Sequence, residues 1–276
     1  MAVPKKVSER IITQLKRYQP ILAAARSRDI SESDTVVIIA DMLADVLGYK
    51  KYIEITTEFA IRGTYVDLAV KIDNDVRFLV EAKAIGIELK DAHVKQAIDY
   101  GANNGIEWII LSNGICWRFY KIHFRQPIDK TLLFEIDMLN GNIRSEECIE
   151  CFGNLSRECF AHDALNAFYQ QQQILSRYSI ANLILSDGVL SAIRRELKKI
   201  APKVKIEEEK LKYILQDEVL KRDVVEGEQA QTAKSTINKL AKKAAREKAK
   251  SIEAKDAAPS NTENMQKVSL QNPSTA

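Results

Sequence analysis

The sequence has no apolar run long enough to cross a bilayer, since its richest stretch, Val36 to Leu47, is interrupted by Asp41 and Asp45. Its first residues, Met1-Ala2-Val3-Pro4-Lys5-Lys6, lack the apolar centre of a secretory signal. Cysteine is scarce. Of the four, Cys148, Cys151 and Cys159 cluster, and this is no disulfide framework in a chain of 276 residues. There is no internal repeat. The formal net charge of +3 is too small to establish a polyanionic partner by itself. These absences exclude a membrane protein and a disulfide-stapled secreted scaffold, and the expectation is a cytoplasmic protein. With 46% hydrophobic and 29% charged residues, the composition is that of a globular chain that can bury one good core and carry a second, smaller unit.

Taken in order, residues Val7 to Arg28 carry Ile11, Ile12, Leu15, Ile21, Leu22 and Ala25 at helical spacing, with Pro20 as a kink or restart. Ser31-Glu32-Ser33-Asp34 supplies capping chemistry for a second helix, whose apolar face runs from Val36 and Val37 to Leu47 and ends at Gly48. Tyr49 to Ile61 alternates as a strand. The turns Arg62-Gly63 and Asp73-Asn74-Asp75 then separate it from two more strands, Thr64–Val70 and Val76–Val80. Glu88 to Asn103 is helical in pattern and Glu107–Leu111 is a short buried strand. Asn113-Gly114 is a hairpin turn into the strand Cys116–Tyr120. From Ser145 the pattern is helical, with helices expected over Glu146–Phe152, Asp163–Tyr178, Gly188–Lys199 and Glu207–Val225. The domain expectation is an N-terminal helix over 1–30, an α/β domain over 31–140, a helical region over 141–226 and a basic, largely disordered tail over 227–276.

Chemistry concentrates at the tip of the Val76–Val80 strand. Glu81 and Lys83 point to one face and Ala82 to the other, while Asp67 interrupts the preceding apolar strand. A carboxylate and an ammonium at the end of an apolar strand are costly unless they are paired or hold a metal. The bland alternative is a surface ion pair at a sheet edge, worth little. The chemical alternative is metal-assisted hydrolysis. Hard divalent ions such as Mg²⁺ prefer oxygen ligands, which Asp67, Glu81 and the Ala82 carbonyl offer. Lys83 then orients or deprotonates water, or neutralises an attacked phosphate. Glu32 approaches from the second helix, unless it serves only the cap and the helix dipole. Gln96 and Tyr100 share one face of the following helix, either within reach of the site or of a nucleic-acid backbone, or as plain solvated surface.

The ordered set Glu32-Ser33-Asp34-Thr35, Leu47-Gly48-Tyr49, Asp67, Val80-Glu81-Ala82-Lys83-Ala84, Gln96-Ala97-Ile98-Asp99-Tyr100 and Leu111-Ser112-Asn113-Gly114 resembles the N-terminal nuclease domain of type I restriction enzyme R subunits, within the PD-(D/E)xK nuclease superfamily. The resemblance spans about residues 30–125. It implies an α/β fold of restriction-endonuclease type, a central mixed sheet flanked by helices, and Mg²⁺-dependent hydrolysis of DNA phosphodiesters with Mn²⁺ as a substitute ion. By the same resemblance Asp67 and Glu81 are the metal-binding acids, Lys83 the catalytic lysine, Glu32 the additional helix acid, and Gln96 and Tyr100 the accessory motif. The implied role is a restriction or defence endonuclease working with modification or ATPase partner subunits. A catalytically silent DNA-binding or partner-recruiting subunit is the alternative.

Complete R subunits continue into an ATP-driven motor, yet the sequence contains no G-x-x-x-x-G-K-[ST] loop. The expectation is therefore a stand-alone nuclease domain. Cys148-x-x-Cys151 with Cys159-x-x-His162 is similar to a zinc pattern, but Phe152, Leu155 and Phe160 between them read as core, and no zinc is expected. Lys239 to Lys250 is a basic, alanine-rich run, either a non-specific phosphate contact or a solvated tail. Trp108, Trp117 and Phe119 read as core.

Overall fold

The N-terminal helix α1 (Lys5–Ser27) buries Val7, Ile11, Leu15, Tyr18, Leu22 and Ala25, the three- and four-residue spacing of an amphipathic helix. Pro20 lies inside it without ending it, so the expected restart does not occur. In α2 (Glu32–Asp45) the Ser31 hydroxyl accepts the Asp34 N–H at 3.1 Å, as the capping residues predict. Gly48 takes φ +84° to turn the chain away. Val37, expected on the buried face, is 56% exposed because the helical period carries it to the outer side.

The structure, a computed structural model, describes residues 3–61 and 64–256, which divide after Gln171 into two compact units. The first is built on a six-stranded sheet in sequence order: β1 (Ile55–Ile61), β2 (Thr64–Ile72), β3 (Asp75–Ala82), β4 (Trp108–Ser112), β5 (Cys116–His123) and β6 (Asp129–Asp137). Only β3 and β4 pair in parallel, and the rest are antiparallel. A parallel pair needs a crossover. The 3₁₀ turn Asp91–Val94 and helix α3 (Lys95–Asn104) supply it.

Helices α1 and α2 cover one face, where Leu68, Val70, Phe78, Val80, Ile110, Trp117 and Phe119 meet them. Helix α3 covers the other, over Val66, Leu79, Ile109, Leu111 and Ile122. Burial on both faces explains why β3 and β4 are continuous apolar runs instead of alternating ones. Trp108, Trp117 and Phe119 are core residues, as read from the sequence. Helices α4 (Glu146–Leu155) and α5 (Arg157–Phe160) join this unit. Tyr49 Oη donates to the Leu155 carbonyl at 2.8 Å, and Arg157 Nε donates to the buried Glu54 at 2.7 Å.

Several boundaries differ from expectation. β1 starts at Ile55 and not at Tyr49, because Lys50 to Glu54 close a turn through Glu54 N–H to the Lys50 carbonyl, which leaves Tyr52 and Ile53 exposed. The helix expected from Glu88 begins only at Asp91 as a 3₁₀ turn. Strand β6 was not expected, since its mostly half-exposed residues give a weak apolar pattern. Asp73 (φ +53°) and Asn74 (φ +68°) form the predicted β2–β3 turn, both central residues being left-handed. The Arg62-Gly63 turn lies outside the described residues.

Helix α6 (Ala164–Ile174) ends where one long helix was expected, because Ser176 caps a new one, α7 (Arg177–Ile184), by accepting the Ser179 N–H. The second unit continues with α8 (Asp187–Ile200), α9 (Glu208–Ile214), a π turn (Leu215–Val219), α10 (Arg222–Val225) and α11 (Glu228–Asp256). The largely disordered tail is thus corrected over 228–256. Residues 228 onward are good helix formers and bury Ala230 and Ala233, with Asn182 Nδ2 donating to the Ala230 carbonyl at 3.3 Å. Residues 257–276 lie outside the described residues. Among the described residues, no helix is long and apolar enough to cross a membrane.

Candidate active site

The end of β3 carries the chemistry. Its residues alternate between the two cores, Val80 and Ala82 towards α1 and α2 and Leu79 towards α3, so Glu81 shares the face of Leu79. The parallel pairing with β4 continues one residue beyond the strand, through Lys83 N–H to the Ser112 carbonyl at 2.9 Å. That contact fixes the lysine backbone. Its Nζ lies 2.9 Å from Glu81 Oε1 and 3.6 Å from Glu32 Oε1, at the first turn of α2. The Glu81 and Lys83 side chains are only 10% and 20% exposed, so this is no surface pair. Glu32 does more than favour the helix N-terminus: it closes on the lysine from a second element.

Asp67 comes from β2. The β2–β3 ladder runs through Ile72↔Asp75 to Leu68↔Val80 and stops there. One step further, the Ala82 N–H donates to Asp67 Oδ2 at 2.7 Å, so a carboxylate stands where a strand carbonyl would otherwise accept. Glu32, Asp67, Glu81 and Lys83 are therefore brought together from α2, β2 and the end of β3.

Electrostatics follow from this crowding. Burial pushes the Asp67 carboxyl above its ordinary value and Glu32 and Glu58 push the same way, against the Ala82 N–H and Lys83. Burial likewise raises Glu81, helped by the charge on Asp67 and opposed by the Lys83 hydrogen bond. For Lys83, burial opposes the ammonium, but the hydrogen bond to Glu81 and the charges of Glu81, Glu32 and Asp67 outweigh it and hold the pKa up.

Gln96 and Tyr100 stand differently. Gln96 Nε2 donates to the Tyr65 carbonyl at 3.1 Å, tying α3 to β2 two residues before Asp67. Tyr100 is buried in the core under α3, and its hydroxyl has no hydrogen-bond partner among the described residues. Gln96 is exposed while making its contact, whereas Tyr100 is not the solvated surface that spacing alone suggested.

Sequence reasoning missed Glu58, which faces Asp67 across β1, because its significance lies in a backbone angle. It also missed how the Asn113 side chain serves the site. Its Nδ2 donates to the Ile87 carbonyl at 2.8 Å, while its Oδ1 accepts the Ile115 and Cys116 N–H groups, so the turn holds the loop that leaves Lys83.

Two carboxylates with a neighbouring backbone carbonyl suit a hard divalent ion, which takes one or two protein carboxylates and completes its shell with water and phosphate oxygens. Asp67, Glu81 and Ala82 fit that donor set. Among the described residues no group of three or more His, Cys, Asp or Glu side chains forms a metal cage. Cys148, Cys151 and Cys159 are buried in α4 and α5, and burial pushes the first two thiols up to about 11 and about 12.

No curated protein and no solved structure matches the chain. Residues 38–131, which hold Asp67, Glu81, Lys83, Gln96 and Tyr100 but begin after Glu32, match the family model described as type I restriction enzyme R protein N terminus (HSDR_N). Over that stretch, from within α2 into β6, the chain is similar to the N terminus of type I restriction enzyme R proteins, in keeping with the resemblance carried by the Glu81-Ala82-Lys83 strand end and its neighbours.

Proposed function

We propose that this protein is a divalent-metal-dependent deoxyribonuclease of restriction type, with a PD-(D/E)xK core. The observation that carries the reading is the meeting of Asp67 and Glu81 beside a lysine held at 2.9 Å, at the open end of a buried strand. Asp67, Glu81 and the Ala82 carbonyl would hold Mg²⁺, or Mn²⁺ in its place. When bound, that ion polarises a phosphate oxygen and makes water a better nucleophile. Lys83, held against Glu81, would orient or deprotonate the attacking water or neutralise charge on the attacked phosphate. Glu32 limits where the ammonium can go. In this reading the protein is cytoplasmic, acts on DNA, and works beside methyltransferase or ATPase subunits of a restriction system.

The test is incubation of the purified full chain with supercoiled plasmid, single-stranded DNA and RNA, with Mg²⁺, with Mn²⁺ and with chelator. Metal-dependent scission of DNA supports the reading. Stable DNA binding without scission under every ion supports the silent, partner-recruiting alternative.

A further inference from the structure

The β1–β2 ladder pairs Ile55↔Val70, Thr56↔Ala69 and Thr57↔Leu68, then resumes at Phe59↔Val66, and the interrupted position is Glu58 opposite Asp67. Glu58 has φ +47°. The other non-glycine residues with positive φ among the described residues, Asp29, Asp73, Asn74 and Asp163, are short polar side chains outside the strands. A glutamate in the left-handed region inside a strand is an uncommon conformation, held only where the surroundings fix it.

The side chains show what the break does. Residues two apart on a regular strand share a face. Leu68 packs in the core under α1 and α2, whereas Val66 packs under α3, with Phe59 beside it. The strand therefore changes face at Asp67. Without that change Asp67 would alternate regularly between Val66 and Leu68, and Val66 would continue the ladder opposite Ala82. With it, the β2–β3 ladder ends and the Ala82 N–H is taken by the Asp67 carboxylate.

We propose that Glu58 is a positioning residue, whose left-handed backbone, and not its carboxylate, makes the face change that turns Asp67 onto Ala82 and into the site. The functional consequence rests on the reading of Asp67 as a metal-binding acid, but the positioning itself does not. Glycine adopts the left-handed region freely, and β-branched residues adopt it least readily. The side-chain and backbone contributions therefore separate by substitution.

The experiment measures hydrogen exchange of the Ala82 amide by NMR in the full chain, beside Mn²⁺ binding by electron paramagnetic resonance and the melting temperature. The variants are Glu58→Gly, Glu58→Gln, Glu58→Val, the milder Glu58→Thr should the valine variant not fold, and Asp67→Ala. The expected result is wild-type protection of Ala82 in Glu58→Gly and Glu58→Gln, and at least about tenfold faster exchange in the β-branched variant and in Asp67→Ala. Mn²⁺ affinity should fall in those same two proteins. Unchanged Ala82 protection in the β-branched variant overturns the proposal, as does loss of protection in Glu58→Gln equal to that in Glu58→Val. If Asp67→Ala binds Mn²⁺ as the wild type does, the metal reading of the site fails, and the amide data alone still decide the role of Glu58.

Discussion

Lys83 and Glu81 stand two residues apart at the end of β3, joined at 2.9 Å with nine-tenths of the glutamate side chain out of solvent. A pair this sheltered is not a surface ion pair. Three carboxylates, Glu32, Asp67 and Glu81, crowd this single ammonium, so negative charge is in excess. The site is therefore a place where charge is stored at some cost to stability, and that cost depends on pH and on bound cations.

The pH dependence has a definite sign. The Glu81 carboxyl is raised by burial and by Asp67, against the Lys83 hydrogen bond, so the folded protein holds its proton more tightly than the unfolded chain does. Its stabilising contribution is present below the ordinary carboxylate pKa and is lost as pH rises through the higher folded value. Glu81→Gln carries no such loss. In thermal unfolding without divalent ion from about pH 4 to about pH 8, the melting temperature of Glu81→Gln should gain on the wild type as pH rises. Adding Mg²⁺ at neutral pH should then raise the wild type selectively, because an ion that binds only the folded form stabilises it. A gap that stays constant with pH would mean that Glu81 is not under strain.

Asn113 offers a separate test of how the site is supported. It is buried, and its side chain satisfies the Ile87 carbonyl and the Ile115 and Cys116 N–H groups. Asn113→Ala strands several buried polar groups and should cost about 2 kcal/mol in denaturant unfolding. Asn113→Asp keeps the acceptor but loses the donor to the Ile85 and Ile87 carbonyls and sets a buried carboxylate against them, so its cost should be no smaller at neutral pH.

The architecture was largely legible because both strands that carry the site are bounded by strong signals. Asp73-Asn74 and Asn113-Gly114 are turns whose residues tolerate positive φ, and the apolar runs between them have no alternative but the core. Glu32, Asp67, Glu81 and Lys83 were named from sequence and do converge. What escaped had physical reasons. Strand β6 is an edge strand with one buried residue, Phe134, so it has little apolar pattern to read. Tyr52 and Ile53 look like strand residues but sit in a turn closed by Glu54, a contact that composition does not reveal. Helix α11 reads as a tail because its buried positions are alanines, whose small faces pack against α7 without large apolar residues. Tyr100 was placed on a polar helix face, although its ring fills the core beneath α3.

That helix changes how its charge is tested. Deleting residues after Gly227 would strip Ala230 and Ala233 from their packing, so substitutions are the cleaner probe. Lys239, Lys242 and Arg246 are exposed and recur at three- and four-residue spacing, on one side of α11. If they meet DNA phosphates, changing each to Gln should flatten the log–log salt dependence of DNA binding by about one unit per contact. An unchanged slope removes α11 from any binding role.

Within these 276 residues there is no phosphate-binding loop of the P-loop kind. Cleavage by the isolated chain should accordingly proceed at the same rate with and without ATP. A sharp rise on adding ATP to the purified protein would show that nucleotide binding and cleavage are not divided as argued.

The most direct measurement is metal-dependent DNA cleavage by the wild type, Asp67→Ala, Glu81→Ala and Lys83→Ala, with Mn²⁺ binding followed in parallel. The account predicts that the two acid variants lose both cleavage and ion binding while melting at the wild-type temperature or above it without metal. It predicts that Lys83→Ala loses cleavage, by at least about a hundredfold for a group acting on the transferring phosphate, yet still binds the ion. Cleavage at the wild-type rate by Lys83→Ala, or undiminished ion binding by both acid variants, would contradict it.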